Sequence, residues 1–270
     1  KDNLKTFLSQ QDEFTDYNFE GSGMNILLDV LAYNTHYLGY NANMLANEMY
    51  LDSADQRSSV VSLAKQVGYT PRSSTSSQAT IDVVVNNASG PSLTMSRGTK
   101  FTSTVDGTNY SFVANADVSI SPADGVYKFS NIVIYEGTYL NYKYTANTSD
   151  TDQRFIIPND DVDTNTLTVK VQESASDSTT NTYTLASGVT GIDSTSKVFF
   201  LQEVENKRFE VYFGDGVIGQ SIKDGNIVIL DYITCNRDEP NGASAFTLSG
   251  TVGGFSDVTI TTVGTAAGGD

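Results

Sequence analysis

The sequence contains very few of the residues on which most catalytic and metal sites depend. Only one of its 270 residues is cysteine and only one is histidine, and tryptophan is absent. A single cysteine, Cys235, excludes a disulfide framework within the chain and a cysteine-rich zinc site. A single histidine, His36, excludes any metal centre or acid–base pair that needs two imidazoles.

Positive charge is also scarce. The chain has 16 Lys and Arg residues against 32 Asp and Glu residues, a formal net charge of −16 at pH 7. Nucleic-acid binding needs clustered positive charge against the phosphates, so a nucleic-acid partner is not expected. No run of about 18 apolar residues is present, so the sequence predicts no membrane partner either.

The first seventy residues have a helical pattern. From Met24 to Met49, apolar residues recur at spacings of three and four, which predicts one long helix. A shorter helix is predicted over Asp55–Val67, capped by Asp52 or by Ser53 in a capping box with Gln56. Its predicted stop is Gly68, and its predicted inner face is Val60, Leu63, Ala64 and Val67. Another short helix is predicted around Leu4, Phe7 and Leu8.

After a small polar stretch, PRSSTSSQ at 71–78, which resembles a linker, the pattern changes to strands. Apolar residues alternate at period two in four places, at Ile81/Val83/Val85, Ile132/Ile134, Leu167/Val169/Val171 and Phe209/Val211/Phe213. Asp-Gly pairs, which suit tight turns with positive φ, stand at 106–107, 124–125, 215–216 and 224–225. The segment FTSTVDGTNYSFV predicts a hairpin on local grounds alone.

These patterns predict an α+β protein, with an amino-terminal helical region followed by mainly antiparallel β domains. The expected divisions are a helical assembly region at 1–72, a first β-rich domain at 78–147 and a second at 148–240. The stretch 241–270, rich in small residues, is expected to start a further segment of a chain that continues.

The segment VYFGDGVIGQ contains a G-x-G-x-x-G match, but another turn and strand follow it where a dinucleotide fold needs a helix. We therefore interpret its residues as structural turn residues, namely Gly214, Asp215, Gly216, Gly219, Asp224 and Gly225. Two consecutive tight turns are predicted to pair Phe209–Phe213 with Ile227–Leu230 as antiparallel strands.

Two other candidates for chemistry are weak. His36 falls on the polar edge of the long helix, without the glycine-rich elbow that presents a nucleophile. In NDDVDTNTL, Asp161, Asp163 and Asn165 fill three positions of a calcium loop, but Thr166 stands where such loops need glycine. The sequence therefore predicts no catalytic, cofactor-binding or metal-binding residue, and a protein that is not an enzyme.

The long helix has two apolar stripes, separated by Asn34 and Asn41, whereas a surface helix usually needs one. The first stripe contains Leu27, Leu31, Leu38, Ala42, Leu45 and Met49, and the second contains Ile26, Val30, Tyr33, Tyr37, Tyr40 and Met44. We expect both to form an interface, and the tyrosines suit a surface that is buried only on assembly. The predicted second helix, Asp55–Val67, can cover only one stripe, and the alternative is that the β region folds back over the other. The predicted interface residues are Ile26, Leu27, Val30, Leu31, Tyr33, Tyr37, Leu38, Tyr40, Met44, Leu45 and Met49.

Two long segments carry a resemblance to a known family. The run from GSGMNILLDVLAYN to AKQVGYTPRS resembles the amino-terminal region of the baseplate wedge proteins of T-even-like contractile-tailed phages. FEVYFGDGVIGQSIKDGNIVILDYITC is similar to a segment of the broader baseplate J-like family. The stretch NRDEPNGA at 236–243 departs from the glycine-asparagine pattern usual there, and the final AAGGD resembles the opening of the family's next segment.

The resemblance implies a structural scaffold of the virion, assembled in the host cytoplasm, with no enzymatic activity and no cofactor. It implies that two copies join other baseplate wedge proteins, and that the wedges close into a ring around the tail hub. That ring rearranges when the sheath contracts. The composition also allows a β-rich glycan-binding tail adhesin, and more remotely a cell-wall hydrolase.

Overall fold

The computed structural model describes residues 2–11, 23–69, 71–150, 153–186, 188, 190–204 and 207–270. The chain has two compact units, Lys1–Thr70 and Pro71–Asp270. The first is helical and the second is almost entirely β, which confirms the predicted α+β class. None of the described helices is long and apolar enough to span a bilayer.

The first unit contains three helices. They are α1 (Asp2–Ser9), α2 (Gly23–Glu48) and α3 (Arg57–Gln66). The predicted long helix is confirmed to within one residue at each end. Helix α3 is shorter than predicted, and its buried residues are Val61 and Ala64, while Val67 is exposed.

The end of α3 follows the prediction. Gly68 has φ of +77°, a value that residues with a Cβ rarely adopt. Its N–H donates to the carbonyl of Lys65, and the N–H of Tyr69 donates to the carbonyl of Ala64. This pair of bonds is a Schellman motif, which satisfies two carbonyl groups at the helix end.

The second unit contains two large sheets and one small one. The first large sheet has the order β14-β3-β4-β6-β1-β15. Its strands are β1 (Gln78–Val85), β3 (Lys100–Val105), β4 (Thr108–Ala114), β6 (Tyr127–Glu136), β14 (Thr247–Ser249) and β15 (Val258–Ala267). The small sheet pairs β2 (Leu93–Met95) with β5 (Val118–Ile120).

The second large sheet has the order β7-β13-β9-β10-β11-β12-β8. Its strands are β7 (Thr138–Thr145), β8 (Phe155–Ile156), β9 (Val162–Ser174), β10 (Asp177–Leu185), β11 (Val198–Glu203), β12 (Phe209–Phe213) and β13 (Ile227–Thr234). All its pairs are antiparallel except β10 with β11. The sheet curls, so that the Tyr144 hydroxyl of β7 donates to the Ile156 carbonyl of β8 at 2.6 Å.

The predicted 101–113 hairpin is present as β3 and β4. Val105 pairs with Thr108, so the loop has two residues, Asp106 with φ of 49° and Gly107 with φ of 83°. Positive φ at both positions is the type I′ turn that matches the twist of the flanking strands.

The predicted pairing of Phe209–Phe213 with Ile227–Leu230 is wrong. β12 pairs with β11 and β8, whereas β13 lies between β7 and β9 on the other side of the sheet. The run IVILDYIT is buried at every position except its two ends, so β13 needs neighbours on both edges and cover on both faces. A place beside the partly exposed β12 does not provide that cover.

The predicted divisions of the β region also differ from the sheets. β7 belongs to the second sheet although its residues precede 148. Residues 241–270 do not start a separate segment, because β15 pairs along β1 and β14 pairs with β3. The stretch therefore completes the first sheet, where Phe246, Val252 and Ala266 are buried in its core.

The stretch predicted as a linker is docked against the β unit. Ser76 and Ser77 are fully buried, and the Ser76 N–H donates to the Asp163 carboxylate at 2.9 Å. Thr75 exchanges two backbone hydrogen bonds with Asp270. The Ser77 hydroxyl lies 3.0 Å from the Arg237 carbonyl oxygen and 2.6 Å from Asn241 Oδ1, so this small polar side chain is hydrogen-bonded where it is buried.

Gly137 joins the two large sheets, because it separates β6 from β7 and therefore belongs to neither. Its φ is +132°. A Cβ there would overlap the Thr234 carbonyl oxygen and lie 2.7 Å from Ile233 Cγ2. No residue with a side chain fits at this crossing without moving the backbone of β13.

We expect Gly137→Ala to lower the free energy of unfolding of residues 71–270 by at least ~2 kcal/mol, from overpacking and from backbone strain. The matched control is Gly264→Ala in β15, where the nearest atom to a new Cβ is Thr80 Cβ at 3.7 Å. The control should change stability by less than ~1 kcal/mol. Equal effects of the two variants in chemical denaturation would contradict the assignment.

Candidate assembly interface

All eleven side chains of the predicted interface are exposed, ten on helix α2 and Met49 directly after it. Their exposed fractions range from 40% for Met44 to 68% for Ile26. In contrast, Leu28, which belongs to neither stripe, is 3% exposed. The expectation that α3 covers one stripe is therefore wrong, because both stripes are exposed.

The packing of the first unit explains this exposure. Within the described residues, the three helices do not pack extensively on one another. Tyr33 and Tyr37 contact each other along one stripe, with ring centroids 4.5 Å apart. This i, i+4 contact orders the two side chains on the stripe but leaves both rings exposed to solvent.

The corner between α2 and α3 is closed by Glu48, a role that was not predicted from the sequence. Its carboxylate accepts hydrogen bonds from the N–H groups of Asp55 and Gln56, at 3.1 and 3.2 Å. The predicted capping box is wrong, because Gln56 is the N-cap and its side chain makes no capping bond. The Ser53 hydroxyl instead donates to the Asn47 carbonyl at 2.7 Å.

The hydrogen bonds lower the pKa of Glu48 below its ordinary value, with Ser59 the largest cause and the N–H groups of Asp55 and Gln56 adding to it. The carboxylate thus accepts hydrogen bonds from N–H groups at the start of α3, although Glu48 lies eight residues before Gln56. Local capping motifs do not predict a cap at that distance. A lone glutamate at the end of one helix, shortly before another, is the only sequence signal.

His36 is exposed on α2, with its ring 6.3 Å from that of Tyr37 in an edge-on arrangement. No group of three or more His, Cys, Asp or Glu side chains in the described part of the chain is arranged to hold a metal ion.

The acidic loop at 159–167 has a structural role that its sequence did not reveal. Asp163 is fully buried and accepts from the Ser76 N–H, the Asn165 N–H and the Asn165 side-chain amide, at 2.9, 3.0 and 3.0 Å. Asp161 forms an ion pair with Arg237. Both carboxylates are therefore engaged by donors of the chain itself.

The predicted turn residues form two separate turns. Gly216, Gly219 and Gly225 have φ of 90°, 86° and 77°, in the left-handed region that favours glycine. Asp215 accepts two backbone N–H groups within its own turn. Asp224 Oδ1 accepts the N–H of Thr148 at 3.1 Å and so ties the second turn to the end of β7.

A polar cluster, unforeseen from the sequence, joins the two sheets around Asp231 of β13. Asp231 is 2% exposed and accepts from Lys170 at 3.1 Å and from Asn141. Arg97, from the loop before β3, lies 3.8 Å from it and over the ring of Tyr139. Burial alone would raise the pKa of Asp231, but the bonds from Asn141, Lys170 and Tyr139 lower it.

Two family models match the chain over these features. The helical domain of gp6-like baseplate wedge proteins matches residues 1–69, and the third domain of the bacteriophage baseplate wedge protein gp6 matches residues 142–241. The baseplate wedge protein gp6 of Enterobacteria phage T4 is 30% identical over 272 residues, covering 93% of this chain. The chain belongs to the gp6-like baseplate wedge family.

This wedge-family chain spans 40% of the length of its phage T4 relative. The match to the family's helical domain includes all eleven residues of the predicted interface, and the match to the third domain includes the turns at 214–219 and 224–225. The resemblance inferred from the sequence is therefore confirmed for both segments that carried it.

We expect Glu48→Gln to remove a pH dependence at the α2–α3 corner. Because the folded pKa of Glu48 is lowered, its contribution is present above the ordinary value of 4.5 and is lost as pH falls through the folded pKa. The protection factor of the Gln56 amide, which is the exchange rate corrected for its intrinsic pH dependence, should therefore fall at acidic pH in the native chain. In the variant, the protection factor should be lower and should not vary with pH over this range.

The matched control is Asp52→Asn, which removes an exposed carboxylate from the same corner. It should leave exchange at Gln56 unchanged. An identical pH profile in the native chain and in Glu48→Gln would show that Glu48 does not cap α3.

We expect Asp163→Ala to cost about 1–3 kcal/mol of stability, because the buried Ser76 N–H loses its acceptor. The cost should be the same in calcium and in chelator, and calcium should not raise the melting temperature of the native chain. Asp160→Ala, in the same loop but exposed, is the control and should change little. A calcium-dependent rise of several degrees would instead establish a metal site.

Proposed function

We propose that this chain is a structural part of the baseplate wedge of a contractile phage tail. Its helical unit packs in a multi-helix bundle with a second copy of the chain or with another wedge protein. The wedges form a ring around the tail hub, and that ring rearranges when the sheath contracts. The protein is assembled in the host cytoplasm, acts in the virion and has no catalytic role.

The observation that supports this proposal is the exposure of both apolar stripes of α2. Full burial of one large aliphatic side chain contributes about 1.5–3 kcal/mol. Eleven exposed apolar side chains, ten on the 26-residue helix α2 and Met49 directly after it, therefore leave unused a free energy comparable to the stability of a whole domain. Helices of this kind are stabilised by packing more than by their own propensity, so partners are needed on both stripes.

A glycan-binding adhesin is the second candidate. Phe200 and Tyr212 stack on adjacent strands with centroids 5.2 Å apart, and Tyr212 is 42% exposed. Aromatic platforms of this kind bind sugars, but a single stacked pair also suits ordinary cross-strand packing. Saturable glycan binding by the chain, lost in Tyr212→Ala, would favour this candidate over the wedge.

The test of the wedge proposal is the double variant Tyr33→Glu with Tyr37→Glu, introduced into the phage. Two charges on one stripe should abolish incorporation of the chain into baseplates, because each charge would have to be buried in the bundle. The β unit should stay folded by circular dichroism, since its two cores contain no residue of α2.

The matched control is Asn34→Glu with Asn41→Glu, which adds the same charge to the exposed polar strip between the stripes. The control should be incorporated into baseplates. Normal incorporation of the tyrosine variant would contradict the proposed bundle. If neither the tyrosine variant nor the asparagine control were incorporated, the added charge alone would explain the loss.

A further inference from the structure

The loop after β12 holds two apolar side chains out from the second sheet. We call residues 214–219, GDGVIG, the GDG loop. At its tip, Val217 is 72% exposed and Ile218 is 42% exposed. Exposed apolar residues scattered singly are normal on protein surfaces, so exposure alone indicates nothing. The structure of the loop that carries these two side chains does indicate a function.

The loop is fixed in one shape. Asp215 Oδ1 accepts the N–H groups of Val217 at 2.9 Å and of Ile218 at 3.0 Å. The Gly216 N–H donates to the Gly219 carbonyl across the loop at 3.0 Å. Every backbone N–H of the tip, from Gly216 to Ile218, is therefore bonded inside the loop, and the two side chains are left facing outward.

The loop is also anchored to the neighbouring turn at 193–196. The Gly219 N–H donates to the Asp193 carbonyl at 3.0 Å, and the Gln220 N–H donates to the Ser196 carbonyl at 2.9 Å. That turn is itself closed, since Asp193 Oδ1 accepts from the hydroxyl groups of Thr195 and Ser196.

Three glycines permit this close packing. A Cβ at Gly214 would overlap the Ile218 carbonyl oxygen, and one at Gly219 would lie 3.0 Å from Val198 Cγ2. Gly216 has φ of +90°. The loop therefore orders its backbone fully before any partner is present, which lowers the entropic cost of binding through its tip.

Charge limits what can cover the tip. The carboxylates of Asp215 and Asp193 are exposed, and hydrogen bonds, from the Ile218 N–H and from Thr195 respectively, hold the pKa of each below its ordinary value. The tip is therefore flanked by negative charge on a chain of net charge −16. An anionic membrane surface or a nucleic acid would be repelled, whereas a basic protein surface would be attracted.

We propose that the GDG loop is a second assembly contact, in which Val217 and Ile218 enter an apolar socket, rimmed by Lys or Arg, on another protein of the baseplate. The inference rests on the proposed wedge function but uses a different surface from α2. The contact also differs from the bundle in its place in the chain, because the loop belongs to the β unit and the stripes belong to the first unit.

The test places a thiol at the tip. Val217→Cys adds an exposed cysteine to a chain whose only other cysteine, Cys235, is buried. In the free chain the new thiol should react quickly with a maleimide. In assembled baseplates the reaction should be at least about tenfold slower, because a buried thiol reacts only when the contact opens.

A photoreactive maleimide attached to the new thiol of the Val217→Cys variant before assembly should crosslink to another baseplate protein, at an apolar site beside basic residues. The control is Val126→Cys, at a valine that is 48% exposed in a turn of the first sheet. Its thiol should react at the same rate in the free chain and in the baseplate.

Two results would overturn the inference while leaving the wedge function intact. One is a Val217→Cys chain that enters baseplates yet remains as reactive there as in solution. The other is protection by vesicles of phosphatidylethanolamine and phosphatidylglycerol alone, which would make the tip a membrane contact. Absence of the native chain from baseplates would instead refute the wedge function itself.

A double variant, Val217→Ser with Ile218→Ser, measures the strength of the contact. Loss of two apolar side chains from a socket should weaken association by roughly tenfold or more, without lowering the melting temperature of the free chain. Association unchanged from the native chain would show that the tip makes no contact of consequence.

Discussion

The β unit depends on one crossing of the backbone, at Gly137, where a continuous stretch of chain leaves the first large sheet and enters the second. Beside it Glu136 is 1% exposed, and it accepts the backbone N–H and the side-chain amide of Asn236 at 2.9 and 2.6 Å. Burial raises the pKa of Glu136, and these two bonds oppose that effect. Together with the Asp231 cluster and the bond from Ser76 to Asp163, the crossing joins the sheets through buried polar groups. Such groups have a high cost when their partners are removed, so one arrangement of the sheets is strongly preferred.

Local features of the structure could be predicted from the sequence, and distant ones could not. Periodicity predicted α2 and the strands, and Asp106-Gly107 predicted its turn, because spacing and turn chemistry act within a few residues. β13 lies away from β12 because it is buried on both faces. Which strands flank it depends on all the strands of the chain together, so the pairing could not be predicted locally. The single aspartate in IVILDYIT was the available sign of the Asp231 cluster, but its partner Arg97 is distant in the sequence.

The α2 surface was predictable for a related reason. Its eleven apolar positions follow a local period, so the sequence states which residues share a stripe, although not what covers them. Glu48 was missed because its role depends on the path of the chain between two helices. The protein thus separates two tasks. Residues 71–270 contain two hydrophobic cores, whereas α2 leaves its two apolar stripes exposed.

The pairing of β15 with β1 has a consequence for how the protein is made. Because Gln78 pairs with Ala267, the first sheet lacks an edge strand until nearly 190 residues after β1 have been synthesised. All seven strands of the second sheet lie between them in the sequence and can fold earlier on the ribosome. During that interval the apolar edge of β1, QATIDVVV, has no neighbour on one side and can pair with another nascent chain. Slow translation between residues 234 and 258 would prolong that exposure.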